Sequence, residues 1–380
     1  MRFSDIPGSG YVKERLIQSV QNGKVAHAQL FMGREGALNL PLALASAQFL
    51  HCENKGDTDA CGTCAACSKS SRYVHPDTHF VFPMSNVKGD KDEERFKADI
   101  HKSWRSFLTE QPFGNLDDWT GFYGGEDKQV SISREESREI IKTLSLKAFE
   151  SRFKVMIIWQ PEYMHPSAAN GILKILEEPA PNTIFFLVTN AAERLLPTIL
   201  SRTQVVSVPL LADDELEKVL GSKVTLDPER IGKIARLAEG DINKALKLTE
   251  GEEDQNFELF FTWMLACLGR KYADLVTLAE DFHAADKLSQ QNLFYYSLGM
   301  LRETLLHLAG AGTINRARGN ELERIQKFSK FMTSQKLDKF NHLINAASYH
   351  LERNGSAKMI FMDLSLNFSA VMNNLSQVEK

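Results

Sequence analysis

The chain has 380 residues, 43% hydrophobic and 25% charged, with a formal net charge of −4. That length predicts two or three domains, each with its own core. The near-neutral balance argues against a freestanding basic nucleic-acid binder, and the absence of a long apolar run argues against a membrane-spanning helix.

From the N-terminus, Met1-Arg2-Phe3-Ser4-Asp5 leads into no apolar segment, so no secretion signal and a reducing, cytoplasmic setting are expected. Ala28-Gln29-Leu30-Phe31-Met32 reads as a buried strand ending at Gly33, and a helix over 40–50 follows it. A second helix is expected within 129–150, starting near Ser133, where Ser133 and Glu136 are spaced as a capping box. Val155-Met156-Ile157-Ile158 is the second buried strand, followed by a helix over 167–178 that stops before Pro179. Residues 183–188 form the third strand and 205–208 a short fourth. Strands alternating with helices predict a parallel α/β sheet over 1–210.

The segment 83–128 does not fit this alternation. It opens with a charge run and then carries Trp104, Phe107, Phe113, Trp119, Phe122 and Tyr123, too aromatic for simple disorder. It reads as an insertion with a local satellite core, the alternative being a surface for a partner. Beyond Leu211 the strand signals stop. Helices over 213–220, 228–239 and 241–248 make a small lid over 211–250, and Gly251-Glu252-Glu253-Asp254 is a hinge candidate. Apolar spacings of three and four then predict an all-α domain over 251–380. Its Cys267 lies in an apolar run and reads as a small buried hydrophobe. Arg316, Arg318, Arg324, Lys327 and Lys330 read as a solvated face.

The other four of the five cysteines crowd into 52–67. Cys52, Cys61, Cys64 and Cys67 are spaced C-x8-C-x2-C-x2-C among small and turn-forming residues. Such spacing lets four thiolates converge at about 2.3 Å on one tetrahedral Zn²⁺, a closed and therefore structural site. The disulfide alternative is weaker for a reduced chain. His75, Asp77 and His79 lie nearby as further candidate ligands, but four sulfurs already complete zinc's coordination.

Three stretches then combine with the cysteine module. His27-Ala28-Gln29-Leu30-Phe31-Met32-Gly33-Arg34-Glu35-Gly36 runs from a strand into a phosphate-loop position. Asn170-Gly171-Ile172-Leu173-Lys174-Ile175-Leu176-Glu177-Glu178-Pro179 follows the second strand, and Leu200-Ser201-Arg202-Thr203 the third. Over 30–250, in order and spacing, this resembles the clamp-loader ATPase family of bacterial DNA polymerase III, within the AAA+ class. The resemblance implies an AAA+ domain with zinc module, a helical lid and, by position alone, an all-α collar for oligomerisation.

A working phosphate loop reads G-x-x-x-x-G-K-[ST], its lysine on the β- and γ-phosphates and its hydroxyl on Mg²⁺. Here Gly33 and Gly36 remain, but Leu38, Asn39 and Leu40 stand at the last three positions. The acidic pair expected after the second strand, for Mg²⁺ and for water, is replaced by Trp159 and Gln160. The lid position at which family members carry an arginine is Asn243, beside Lys244. Thr189-Asn190, where an active homologue senses the γ-phosphate, is expected to satisfy backbone, and Glu177 and Glu178 are expected to be structural. The expectation is a non-hydrolysing member of the family.

Ser201-Arg202-Thr203 stands where the family has Ser-Arg-Cys. The resemblance implies that Arg202, with Ser201 beside it, acts in trans on ATP held by a neighbouring subunit. The alternative is an arginine at a helix start paired with a local carboxylate. The implied partners are other clamp-loader subunits (delta and gamma/tau) in a heteropentameric ring and, through them, the sliding clamp and primer-template DNA in replication. Two other readings are an ATP-hydrolysing motor of the same family and a zinc-dependent nucleic-acid-binding protein. The lack of Lys or Arg between Cys61 and Cys67 counts against the last.

Overall fold

The computed structural model describes residues 1–85, 93–125, 130–133, 136, 148–249, 252–285, 287–311, 317, 319–352 and 355–373. The chain divides into two compact units, Met1–Leu246 and Lys247–Lys380.

The first unit is built on strands β1 (Ala28–Met32), β2 (Thr78–Val81), β5 (Lys154–Trp159), β6 (Thr183–Thr189) and β7 (Gln204–Ser207). They form one sheet in the order β2-β5-β6-β1-β7, with every neighbouring pair parallel. Two further short strands, β3 (Met84–Ser85) and β4 (Val130–Ser131), pair antiparallel. All residues of β5 and β6 are buried, as expected for continuous apolar runs covered on both faces. The expected parallel α/β sheet followed by helices is the one observed.

Helix Asn39–His51 follows β1 and is buried along its whole length. It packs on β1, β5 and β6, and also against the preceding helix Gly10–Gln21 and the short helix Ala65–Ser70 of the cysteine module. Helix Pro166–Glu177 buries Ala168, Ala169, Ile172 and Leu176, a stripe at helical spacing, on a core with Leu30, Ile158 and Leu187. Its Pro166 needs no amide partner in the first turn, and the His165 imidazole accepts the Ser167 N–H. The expected Ser133–Glu136 capping box is present, Ser133 N donating to Glu136 Oε2 at 2.6 Å and Glu136 N to Ser133 Oγ at 3.2 Å. The body of that helix lies outside the described residues.

Four parallel strands are expected from the sequence, and the sheet has a fifth, β2. It is an edge strand paired only with β5, and its Thr-His-Phe-Val is half-buried except for Val81, which is buried. The 83–128 segment contributes helices Glu93–Glu110 and Leu116–Phe122. Between them Phe82, Trp104, Phe107 and Trp119 form a satellite aromatic core, with Phe82 stacked on Trp104 at 4.3 Å between ring centres. Helices Asp213–Lys223, Pro228–Ala238 and Ile242–Thr249 follow β7.

The second unit is helical: Glu252–Leu268, Tyr272–Ala284, Lys287–Leu308, Gly319–Ser329, Ser334–Glu352 and Ala357–Met372. The last helix is its axis. Phe361 stacks on Trp263 and Phe282, Phe368 stacks on Phe340 at 4.0 Å, and the Trp263 indole donates to Ser365 Oγ at 2.8 Å. Cys267 is buried there and burial pushes its thiol up to about 12, the inert behaviour expected of it. One expectation needs correction: residues 252–254 belong to a helix rather than a hinge. Arg324 forks onto the Glu258 carboxylate at 2.9 and 3.0 Å in a pair whose side chains are 32% and 58% exposed, and Lys327 and Lys330 are exposed, as expected of a solvated face. Arg316 and Arg318 lie outside the described residues.

Candidate functional site

The turn after β1 holds both glycines, each for a steric reason. A Cβ on Gly33 would lie 2.5 Å from the Val208 carbonyl oxygen and 2.6 Å from Asn39 Oδ1. Gly36 has φ +84, and a Cβ there would lie 2.4 Å from that of Asp241. Asn39, expected from the sequence to replace a phosphate-binding lysine, is 1% exposed and points its amide at the sheet. Its Nδ2 donates to the Thr189 carbonyl and to Asn190 Oδ1, both at 2.9 Å. Thr189 Oγ1 in turn donates to Glu162 Oε2 at 2.9 Å, and Asn190 N to Glu162 Oε1. Burial pushes the Glu162 carboxyl up while these donors pull it the other way. Thr189-Asn190 thus satisfies polar groups at the strand end.

Trp159 is 3% exposed, with its ring 5.0 Å from that of Trp104 and 6.3 Å from Phe107. It anchors the satellite core to the sheet. Gln160, buried in left-handed backbone at φ +55, donates its N–H to the Val188 carbonyl. Asn243, in helix Ile242–Thr249, donates to Asp118 Oδ2 at 2.6 Å. Residues 36–41, 113–115, Trp159, Gln160, Val188, Asn190, Asp241 and Asn243 enclose a groove of about 30 Å³. Small-molecule sites run to about 300–1,000 Å³. The part played by 113–118 has no signal in the phosphate-loop motif itself. Only the Asn115-x-x-Asp118 capping pattern hints at a shaped turn.

Arg202 sits in the turn between the short helix Pro197–Leu200 and the edge strand β7. Its guanidinium donates to the Thr198 carbonyl at 2.9 Å, to Ser201 Oγ at 3.1 Å and through Nε to Glu177 Oε1 at 2.8 Å. The ion pair with Glu177 is solvent-facing, the two side chains 32% and 49% exposed. Thr203 Oγ1 hydrogen-bonds the Ile199 and Leu200 carbonyls.

Residues 52–67 bring the four cysteine sulfurs together, all within 4.8 Å of one another. Cys61 and Cys67 Sγ are 3.9 Å apart, close to the ~3.8 Å edge of a tetrahedron of sulfurs about 2.3 Å from a central ion. Cys52 and Cys67 are buried and Cys61 and Cys64 partly so. Backbone N–H groups of Cys61, Cys64 and Cys67 point at the sulfurs of Cys52, Cys61 and Cys64 at 3.3–3.4 Å, which favours thiolates. The N–H groups of Thr63 and Cys64 pull Cys61 down to about 6, while burial pushes Cys52 and Cys67 up. The donor set fits one soft divalent ion in a closed site.

Asp77 and His75, beside the cysteine module, have contacts of their own. Asp77, 1% exposed, accepts the N–H groups of Phe149, Glu150 and Ser151 at 2.5, 2.8 and 2.7 Å. His75 stacks on His51 at 4.0 Å, and His51 bridges Ser151 Oγ and Thr78 Oγ1 at 2.8 Å each.

A model of the family described as "DNA polymerase III, delta subunit" matches residues 9–212. Among curated relatives, DNA polymerase III subunit gamma of Buchnera aphidicola is 25% identical over 72% of this chain and 66% of its own length. Subunit delta' of Bacillus subtilis is 26% identical over 64% of this chain and 59% of its own, and that of Escherichia coli 25% over 64% and 60%. The chain therefore spans about three fifths to two thirds of the length of these three relatives, and about a third of that of Escherichia coli subunit tau, which it also matches. With the family match covering more than half of its residues, the chain belongs to the DNA polymerase III delta-subunit family of clamp-loader proteins.

Proposed function

We propose that this chain is the delta-prime type of clamp-loader subunit, a non-hydrolysing member of a heteropentameric ring with delta and gamma/tau. In it, 1–210 is a degenerate nucleotide-binding-like domain, 211–250 a lid and 251–380 an oligomerising collar. It acts in the cytoplasm, helping the complex place the sliding clamp on primer-template DNA, and holds one structural Zn²⁺ on Cys52, Cys61, Cys64 and Cys67. The reading is carried chiefly by Asn39 and Trp159. Both stand where phosphate and metal ligands belong, and both are committed to packing. Charge neutralisation, metal and water activation are then all missing from this chain's own site.

Arg202, beside Ser201, would serve a neighbour's ATP in trans. A planar guanidinium suits the charge that develops on a transferring phosphoryl group. Its present pairing with Glu177 is no obstacle, because a solvent-facing ion pair of this kind contributes only about 0–1 kcal/mol and can exchange partners.

The motor reading keeps one support, since gamma and tau relatives match at identities similar to the delta' ones. One experiment separates them. In a loader reconstituted with delta and gamma/tau, Arg202→Ala should slow hydrolysis at the adjoining motor about 10³–10⁵-fold. The isolated wild-type chain should turn over no Mg²⁺–ATP. Undiminished hydrolysis with the variant removes the trans role, and turnover by the isolated chain moves the assignment to a motor.

A further inference from the structure

We propose that the turn at residues 113–118 of the insertion is a resident plug, which fills the groove over the 33–40 loop in place of a nucleotide and fastens helix Ile242–Thr249 to it.

The groove has three walls, and the turn is tied to two of them. Asn115 Nδ2 donates to Glu35 Oε1 at 3.1 Å, which fixes the turn to the loop after β1. Asp118 Oδ2 accepts Asn243 Nδ2 at 2.6 Å, which fixes it to the helix. The third wall, Trp159, is met from behind by the satellite core, where Trp119 packs against Trp104 and Phe107 and these pack against Trp159. Phe113 lines the groove, with the Lys223 ammonium 6.0 Å over its ring.

The turn arrives already shaped. Asn115 and Asp118 cap each other's amides at 2.9 and 3.0 Å, and Gly114 N donates to the Gln111 carbonyl at 2.9 Å. Gly114 is required here, since a Cβ would lie 2.7 Å from the Phe107 ring. What remains open is about 30 Å³, room for a water or two. The surroundings also carry the wrong charge for phosphates. Glu35, Asp117, Asp118 and Asp241 cluster around the loop, where a nucleotide-binding site offers cations and free N–H groups. Burial and Asp117 hold the Glu35 carboxyl above its ordinary range, and Asp241 and Asp118 add to this.

The plug replaces a switchable ligand with a covalently attached one, so the helix at 242–249 has no nucleotide-dependent alternative position. The inference rests on reading 33–40 as a phosphate-loop-like turn and is independent of the trans role of Arg202.

The test uses the full-length chain, wild type and three variants, in hydrogen–deuterium exchange and in titration with a fluorescent ATP analogue plus Mg²⁺. Wild type should show no saturable binding up to millimolar analogue. Asn243→Ala should raise exchange in both 113–118 and 242–249 about tenfold, the loss of one hydrogen bond to an acidic side chain. Asn243→Asp, of the same size but facing Asp118, should loosen the same pair of segments. Asn115→Ala should loosen 242–249 as well, although Asn115 is bonded to Glu35 and Asp118. The proposal is overturned if wild type binds the analogue while 113–118 stays protected, or if any variant loosens one segment and leaves the other unchanged. Paired loosening alongside full loader activity of Arg202→Ala would keep the plug and discard the trans arginine.

Discussion

Trp159→Ala should destabilise the first unit by about 4 kcal/mol. The side chain is 3% exposed and buries on the order of 150–250 Å², about 4–6 kcal/mol at 25 cal/mol per Å², and measured Trp→Ala costs in cores run to about 3–5 kcal/mol. Its rings contact Trp104 and Phe107 within the 4.5–7 Å range of aromatic pairing, which adds about 0.5–1.5 kcal/mol of specific coupling per pair. The double variant with Trp104→Ala should therefore fall short of the summed single effects by about 1 kcal/mol. Equilibrium urea unfolding of the full chain, followed by tryptophan fluorescence, suits the measurement. Trp104, Trp119 and Trp159 are three of the chain's four tryptophans and share this cluster, so fluorescence reports chiefly on the first unit. A cost below about 1.5 kcal/mol, or strict additivity with Trp104→Ala, would refute the view that the insertion is anchored through Trp159.

Cys61→Ser should lower bound metal, measured by plasma mass spectrometry, from one ion per chain to a small fraction and lower the unfolding midpoint of the first unit alone; metal-free wild type with an unchanged midpoint would contradict a structural ion. Asp77→Asn should cost about 2–4 kcal/mol at pH 7, because a neutral amide replaces a carboxylate that accepts three backbone N–H groups. Burial alone would raise the Asp77 pKa, but those donors outweigh it and hold the carboxyl below its ordinary 3.8. Its stabilisation is thus complete above that value and drains away as pH falls through the lower folded one, so the acid limb of wild-type stability should flatten in the Asn variant. Glu177→Gln, at a solvent-facing pair, should change the melting free energy by less than about 1 kcal/mol, and a cost above about 2 kcal/mol in calorimetry would show that Glu177 is structural.

The buried parallel strands were legible because full burial demands unbroken apolar runs, as in Val155-Met156-Ile157-Ile158 and 183–188. The cysteine cluster was legible because ligand spacing is local in sequence. Edge strand β2 is not legible because Thr78-His79 opens it with two polar residues, His75 and Asp77 lie just before it and Pro83 just after, which resembles a loop near a metal site. The 113–118 contacts escaped for a different reason. Asn115 meets Glu35 across 80 residues and Asp118 meets Asn243 across 125, and no periodicity encodes such pairs. Arg202 was found as a candidate, while its pairing with Glu177 is a contact over 25 residues that only the fold reveals.

The Asp77 carboxylate, accepting amides 72–74 residues further along, ties the chain entering β2 to the chain entering β5, so the two parallel strands begin side by side. Chain statistics charge little for length once the ends are clasped, about 0.6 kcal/mol for each doubling of a flexible loop. The clasp at Asp77 therefore sets β2 against β5 from the end at which both strands begin, and the helices and aromatic core of the excursion are left to secure themselves through Trp159.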